Sequence, residues 1–155
     1  MNEDMIEVNR SMRATIRRAA ESDAPGLLRL NEKFNGKSNL SAEQIRLSLA
    51  VNDREDVFVA EQEGKLAGFC CVQIFQSFCY EVRYAEITEL YVDDAYQRRG
   101  IGRELLGYVE QYYEDTDIKG FQLFTGGGNV SAQAFYEKLG YKRTSEVMYR
   151  KRKQL

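Results

Sequence analysis

Histidine and tryptophan are absent, proline occurs once, and three cysteines are the only thiols in 155 residues. Without histidine, proton transfer near neutral pH has to use a carboxylate, a tyrosine, a cysteine, a lysine or water; His-dependent triads and His-ligated metals are excluded. Cys70, Cys71 and Cys79 cluster in one apolar segment without paired C-x-x-C spacing, so no metal site is expected and they read as reduced core thiols of a cytoplasmic protein. No apolar run approaches the roughly 20 residues of a membrane span, and Met1 to Ser11 is acidic and polar rather than signal-like, so no membrane partner is expected. An excess of either charge is also missing: 22 basic residues face 24 acidic ones. Such a balance provides no global field to draw in nucleic acid, and any polyanion site has to be local.

What is present reads as one domain with an appendage. The length suits a single core closed without disulfides or metal. Residues 1–11 precede the first strand-like run and are expected to be a flexible extension, with residues 12–155 forming the domain. Ala14 to Arg18 is β-prone, and Ser22-Asp23-Ala24-Pro25 supplies capping oxygens and an early proline for a helix carrying Leu27, Leu28, Asn31 and Phe34. Ser41-Ala42-Glu43-Gln44 is a capping-box pattern opening a second helix to about Val51. The runs 57–60 and 66–75 flank Glu63-Gly64 and predict an antiparallel hairpin, which Ala85 to Val92 extends into a meander. A helix from about Ile101 follows, with Leu105, Leu106, Val109, Tyr112 and Tyr113 on one stripe. Next come a strand Phe121 to Phe124, a helix carrying Ala132, Phe135, Tyr136 and Leu139 that Gly140 ends, and a closing strand Glu146 to Lys151. Meander first and crossover second predict a mixed α/β sheet, with a parallel pair whose carboxyl ends leave a crevice for a ligand.

Two motifs fall at that crevice. Gln97-Arg98-Arg99-Gly100-Ile101-Gly102 lies between the strand ending at Val92 and the next helix. Unpaired helix amides, the positive end of the dipole and glycine's close approach there suit a phosphate, and Arg98, Arg99 and Arg103 add local positive charge. The plain alternative is a Gly-containing helix start with solvated arginines. Neither G-x-x-x-x-G-K-[ST] nor G-x-G-x-x-G fits, since the latter needs Gly at Leu105. The second motif follows a Gly126-Gly127-Gly128 loop and runs Asn129-Val130-Ser131-Ala132-Gln133-Ala134-Phe135-Tyr136 to Gly140-Tyr141. Its apolar positions also fit a simple core stripe. Asn129 can cap the helix and still face the crevice, and Tyr136 can hold a phenol near a leaving thiolate.

The two together resemble the GNAT superfamily of acyl-CoA-dependent N-acyltransferases, whose signature is Q/R-x-x-G-x-G/A followed by N-x-x-A-x-x-[FL]-Y-x-x-x-G-[FY]. The resemblance covers about Met12 to Arg150. It implies a mixed sheet of about six to seven strands flanked by about four helices, splayed between the strand ending at Val92 and the strand at 121–124. It also implies acetyl-CoA as cosubstrate, with pyrophosphate on the amides of Gln97 to Gly102 and pantetheine on backbone of Leu90, Tyr91 and Val92. In the same way, Asn129 would face the cofactor and Tyr136 would protonate the departing sulfur.

Acyl transfer needs a neutral amine, and an alkylamine of pKa about 10.4 holds its proton at pH 7 by roughly 4.6 kcal/mol. Glu86 and Glu89, carboxylates in a central strand, are the candidate bases, with Glu86 preferred or a water relaying the proton. Regular alternation sets the two on opposite faces, unless a bulge intervenes. Each also reads as a surface ion-pair partner of Arg83 or another basic side chain. Some superfamily members carry a carboxylate at the position of Thr88, which is not acidic here. Backbone N–H groups near Leu90 to Val92 would hold the developing oxyanion, so direct transfer is expected rather than a Cys-linked acyl-enzyme. Glu32, Glu81, Asp93 and Asp94 are expected to rim the acceptor side and suit a cationic amine such as a polyamine or an aminoglycoside. A peptide or protein amine and a non-catalytic acyl-CoA sensor are the competing readings. Ten tyrosines and eight phenylalanines suggest exposed aromatic patches and a homodimer.

Overall fold

Alternating apolar positions in the β-prone runs zip five strands of unit 13–124 into one sheet, in the computed structural model that describes residues 13–153. The strands are β1 (Thr15–Arg18), β2 (Glu55–Gln62), β3 (Lys65–Phe75), β4 (Arg83–Val92) and β5 (Ile118–Leu123), in the spatial order β1-β2-β3-β4-β5. The first four pair antiparallel and β5 lies parallel to β4, as a meander followed by a crossover requires. Glu63 and Gly64, with φ of 53° and 73°, make the two-residue turn between β2 and β3.

The helices cover both faces. Helices α1 (Ala24–Asn35) and α2 (Ala42–Val51) lie on one: Leu27 and Leu30 are buried with Val59, Leu66 and Phe69, and Ile45, Leu49, Val57, Cys71 and Tyr91 pack around them. Helix α3 (Ile101–Tyr112) covers the other, burying Leu105, Leu106 and Val109 and bringing Tyr108, Tyr112 and Tyr113 around Phe58 at 5.1–6.3 Å between ring centroids. Ser41 caps α2 as its pattern predicts: its Oγ accepts from the Gln44 amide at 3.2 Å and Gln44 Oε1 accepts from the Ser41 amide at 2.8 Å. Asp23 does not cap α1. Its carboxylate is held by Arg17 and by the Ala20 amide instead.

The chain divides into two compact units at Phe124/Thr125. The second contains α4 (Val130–Lys138), capped by Asn129 Oδ1 on the Ala132 amide at 3.1 Å and followed by Gly140 at φ 93°. The closing strand expected at 146–151 is not formed, and residues 141–153 carry no regular element. Its alternation has no buried face: Val147, Met148 and Tyr149 are exposed, so little apolar burial offsets the entropy of ordering them. The sheet therefore has five strands among the described residues, fewer than the six to seven expected, with four α-helices. β5 begins at Ile118, three residues before the expected start; its first residue pairs with Arg83, whose guanidinium also holds Asp117. The expected extension, residues 1–11, lies outside the described residues.

Candidate active site

The parallel pair opens where the motif arguments place the cofactor. Pairing of β4 with β5 runs from Arg83↔Ile118 to Ile87↔Leu123 and stops there, while β4 continues to Val92 against β3. Leu90, Tyr91 and Val92 thus have β3 on one side and no β5 partner on the other, the form expected of a splayed sheet.

Beyond Val92 the chain turns sharply. Asp93 is buried, its amide donates to the Ala67 carbonyl at 2.8 Å, and its carboxylate accepts from Arg29 Nη1 at 2.8 Å and from Lys33 Nζ at 2.9 Å. Burial alone would raise the Asp93 pKa; the Lys33 and Arg29 hydrogen bonds and the Ala95 amide outweigh it and hold the carboxyl below its ordinary value. Asp93 is therefore an internal clamp between α1 and the end of β4, not the rim carboxylate expected from sequence. Gln97 Nε2 spans the turn, donating to Val92 O at 3.0 Å and to Asp94 Oδ1 at 2.8 Å.

Two left-handed residues shape the start of α3: Arg98 at φ 62°, uncommon for a residue with a Cβ, and Gly100 at φ 82° as N-cap. No side chain caps this helix, so its first amides have no side-chain partner, and left-handed residues on either side of Arg99 suit an anion-accepting concavity. Arg98, Arg99 and Arg103 are exposed around it, Arg99 over the Tyr96 ring at 5.4 Å. The arrangement fits a pyrophosphate: donors and dipole come from backbone, and charge from three side chains that stay in water.

A bulge sets the chemistry further down β4. Cys71 pairs with Glu89 and Val72 with Ile87, so Thr88 is an extra residue, its Oγ1 donating to the Cys71 carbonyl at 3.3 Å. One inserted residue cancels the odd spacing of Glu86 and Glu89, and both lie on the face that α1 and α2 cover. This corrects the expectation of opposite faces. The apolar spacing already contains the slip: Ala85 and Ile87 are two apart, but Leu90 follows after three, then Val92. Sequence reasoning also passed over Glu55, which pairs with Gln73 beside Glu86 and so shares this face. A carboxylate at the start of a strand gives no composition signal; only the register reveals it.

The carboxylates differ in environment. Glu86 accepts from Gln122 Nε2 of β5 at 3.1 Å. Glu89 is exposed on this face, where partial desolvation raises its pKa, and burial followed by the Glu89 charge raises that of the half-buried Glu55. Neither Glu86 nor Glu89 pairs with Arg83, which holds Asp117. The Cys70 thiol is buried and pushed up to about 12, and burial raises Cys71 likewise, so neither supplies a thiolate. Cys79 is no core thiol: it lies exposed in the β3–β4 loop. Within unit 125–153, Tyr136 stacks edge-on with Phe135 and Tyr141 at 5.2 and 5.9 Å, and Asn129 is the α4 cap.

An uncapped helix start ringed by arginines, beside a parallel strand pair that opens, is an arrangement suited to a nucleotide-bearing cosubstrate. A profile of the Acetyltransferase (GNAT) family matches residues 19–141, and the chain belongs to that family. It is 29% identical over 141 residues to an uncharacterized N-acetyltransferase of Methanocaldococcus jannaschii, covering 86% of this chain and 62% of that protein. Over 84 residues, 54% of this chain and 53% of the relative, it is 32% identical to the [Ribosomal protein bS18]-alanine N-acetyltransferase of Escherichia coli. An aminoglycoside acetyltransferase from an uncultured soil metagenomic sample, solved in complex with sisomicin, superposes with a TM-score of 0.79 at 26% identity over 92% of this chain and 97% of that one. Among the described residues no helix is long and apolar enough to cross a membrane.

Proposed function

We propose that the chain transfers an acetyl group from acetyl-CoA to a primary amine of a small cationic acceptor, by direct attack. The observation that carries this is the uncapped, doubly left-handed turn at Arg98 to Gly100 beside the open edge of β4 after Ile87. Acetyl-CoA supplies the activated acyl group as a thioester. The amides at Gln97 to Gly102, with Arg98, Arg99 and Arg103, take its pyrophosphate, and the free edge of Leu90 to Val92 takes its amide-bearing arm. Glu89 receives the amine proton: it is exposed to an arriving amine, partial desolvation moves its pKa upward, in the direction that suits a base, and Gln122 engages Glu86 instead. Glu86 then serves to orient or to hold charge. Asn129 and Tyr136 belong to the unit 125–153, and their roles, cofactor contact and protonation of the departing sulfur, rest on the motif alone. The family match runs through both units, which supports reading 12–155 as one acetyltransferase domain.

Carboxylates on the acceptor face and the aminoglycoside-acetylating neighbour both favour a small cationic acceptor. The ribosomal-protein acetyltransferase among the relatives keeps a protein amine as the second reading. Homodimerisation rests on Phe75, Phe78, Tyr80 and Tyr84, exposed in and beside the β3–β4 loop, and a cytoplasmic location on the unpaired cysteines. The deciding experiment is thermal unfolding with acetyl-CoA, desulfo-CoA and adenosine, followed by acetyl transfer to an amine panel. A rise of several degrees, as about 2.7 kcal/mol of linkage at 100 times Kd would give, is expected with the CoA species and not with adenosine. No shift at millimolar acetyl-CoA rejects the cradle; a shift without acetylation of any amine leaves the acyl-CoA sensor.

A further inference from the structure

A cavity of about 500 Å³ lies where the end of α2 meets the start of β2, with Leu49, Val51, Asp53, Glu55 and Val57 among its walls. Its electrostatics are one-sided. The carbonyls of Leu49, Ala50 and Val51 end α2 without intrahelical partners, since the last capping bond runs from the Asn52 amide to Ser48 O, and a helix C-terminus carries partial negative charge. Of the charged side chains on its walls, Arg18 is held by Asp56 and Glu21 by Arg46, whereas Asp53 and Glu55 have no cation within ion-pair distance among the described residues. A second cavity, of about 540 Å³, provides the contrast. Its carboxylates are all neutralised from within: Asp23 and Glu61 by Arg17, Asp93 by Arg29 and Lys33. Only the first cavity leaves negative charge for an incoming group.

That cavity is also tied to the reacting face. Glu55 is part of its wall and lies on the same sheet face as Glu89, two strands across and one row along, roughly 12 Å between backbone positions by ordinary sheet spacing. The Glu89 charge acts on Glu55, second to burial, as neighbours on one sheet face would. An extended molecule with its reacting amine at Glu89 thus has its far end at Glu55.

We propose that this cavity binds the second, non-reacting ammonium group of the acceptor, with Glu55 and Asp53 as its carboxylates, so that the acceptor is an amine bearing at least two positive charges. This specificity site rests on the acetyl-transfer reading above. It is read by pairing acceptors of equal length and different charge: 1,4-diaminobutane with butylamine, and 1,8-diaminooctane with octylamine. Calorimetry and steady-state acetylation are run on the full chain, Glu55→Gln and Asp53→Asn, with folding of each checked by circular dichroism. Diamines are expected to be preferred in kcat/KM about tenfold, the value of one well-placed charge pair, through KM rather than kcat, and Glu55→Gln to remove most of that preference. Asp53→Asn, exposed and tolerant, is expected to remove part of it and decides the matter if Glu55→Gln does not fold. Equal use of diamines and monoamines, or a preference untouched by both substitutions, overturns the proposal while leaving acetyl transfer standing. Diamine binding that Glu55→Gln abolishes, in a protein that binds no acetyl-CoA, keeps the cavity and overturns the acetyl-transfer reading.

Discussion

The two ends of β4 treat charge in opposite ways. Beyond Val92 the chain presents backbone amides and exposed arginines, whereas around Thr88 it gathers Glu86 and Glu89 on one face with Glu55 nearby. At the first end the arginine charges remain in water and geometry comes from left-handed backbone; at the second, charge sits in a partly buried sheet face and geometry comes from one inserted residue. An anion site assembled from main-chain donors needs little desolvation. A base has to be desolvated to be poised, and the fold carries that cost.

The comparison is broken most severely by Glu89→Gln: acetyl transfer should fall by about 10²- to 10⁴-fold with the fold intact, while Glu86→Gln costs far less, as steady-state kinetics will read. Glu89→Gln should also slightly raise the melting temperature at pH 7. Its folded pKa is raised, so its protonated form stabilises the fold fully below the unfolded value near 4.3 and that stability is lost as pH climbs through the folded one.

Asp93→Asn tests the hinge between the two ends. It should cost about 2 kcal/mol and several degrees of melting temperature, since a buried acceptor of two cations is lost while Arg29 and Lys33 can turn to solvent. The sign is opposite to that of Glu89. Its depressed pKa gives stability above the unfolded value near 3.9 that disappears as pH falls through the folded one, so parent and variant should converge in acid melts. Replacing Arg98, Arg99 and Arg103 together with alanine is the mildest change, weakening acetyl-CoA about tenfold in titrations at low salt and less at high salt, because exposed charges are screened.

The cradle was more legible in the sequence than the acceptor face. Gly100 and the arginines are local signals, and the helix start they mark depends on neighbours a few residues away. The hairpin at Glu63-Gly64 and the Ser41 cap were readable for the same reason. The grouping of Glu55, Glu86 and Glu89 depends on register between three strands, which no local pattern encodes, though the step from Ile87 to Leu90 marked the slip within one of them. The strand expected at 146–151 failed on a different count: alternation is necessary for a strand but does not supply a partner edge or a buried face. Asp93 was misread because burial of a charge depends on Arg29 and Lys33, which arrive from a helix sixty-odd positions earlier.

The exposed Cys79 has a practical consequence. Cys70 and Cys71 are protonated well above neutral pH by burial, so a thiol-directed fluorophore at pH 7 should attach at the β3–β4 loop and leave the sheet untouched. The loop adjoins Tyr84, which stacks on Phe75 a short way along β4 from Glu86. The chain thus carries its own attachment point for a reporter of acceptor arrival, without a residue being added or removed.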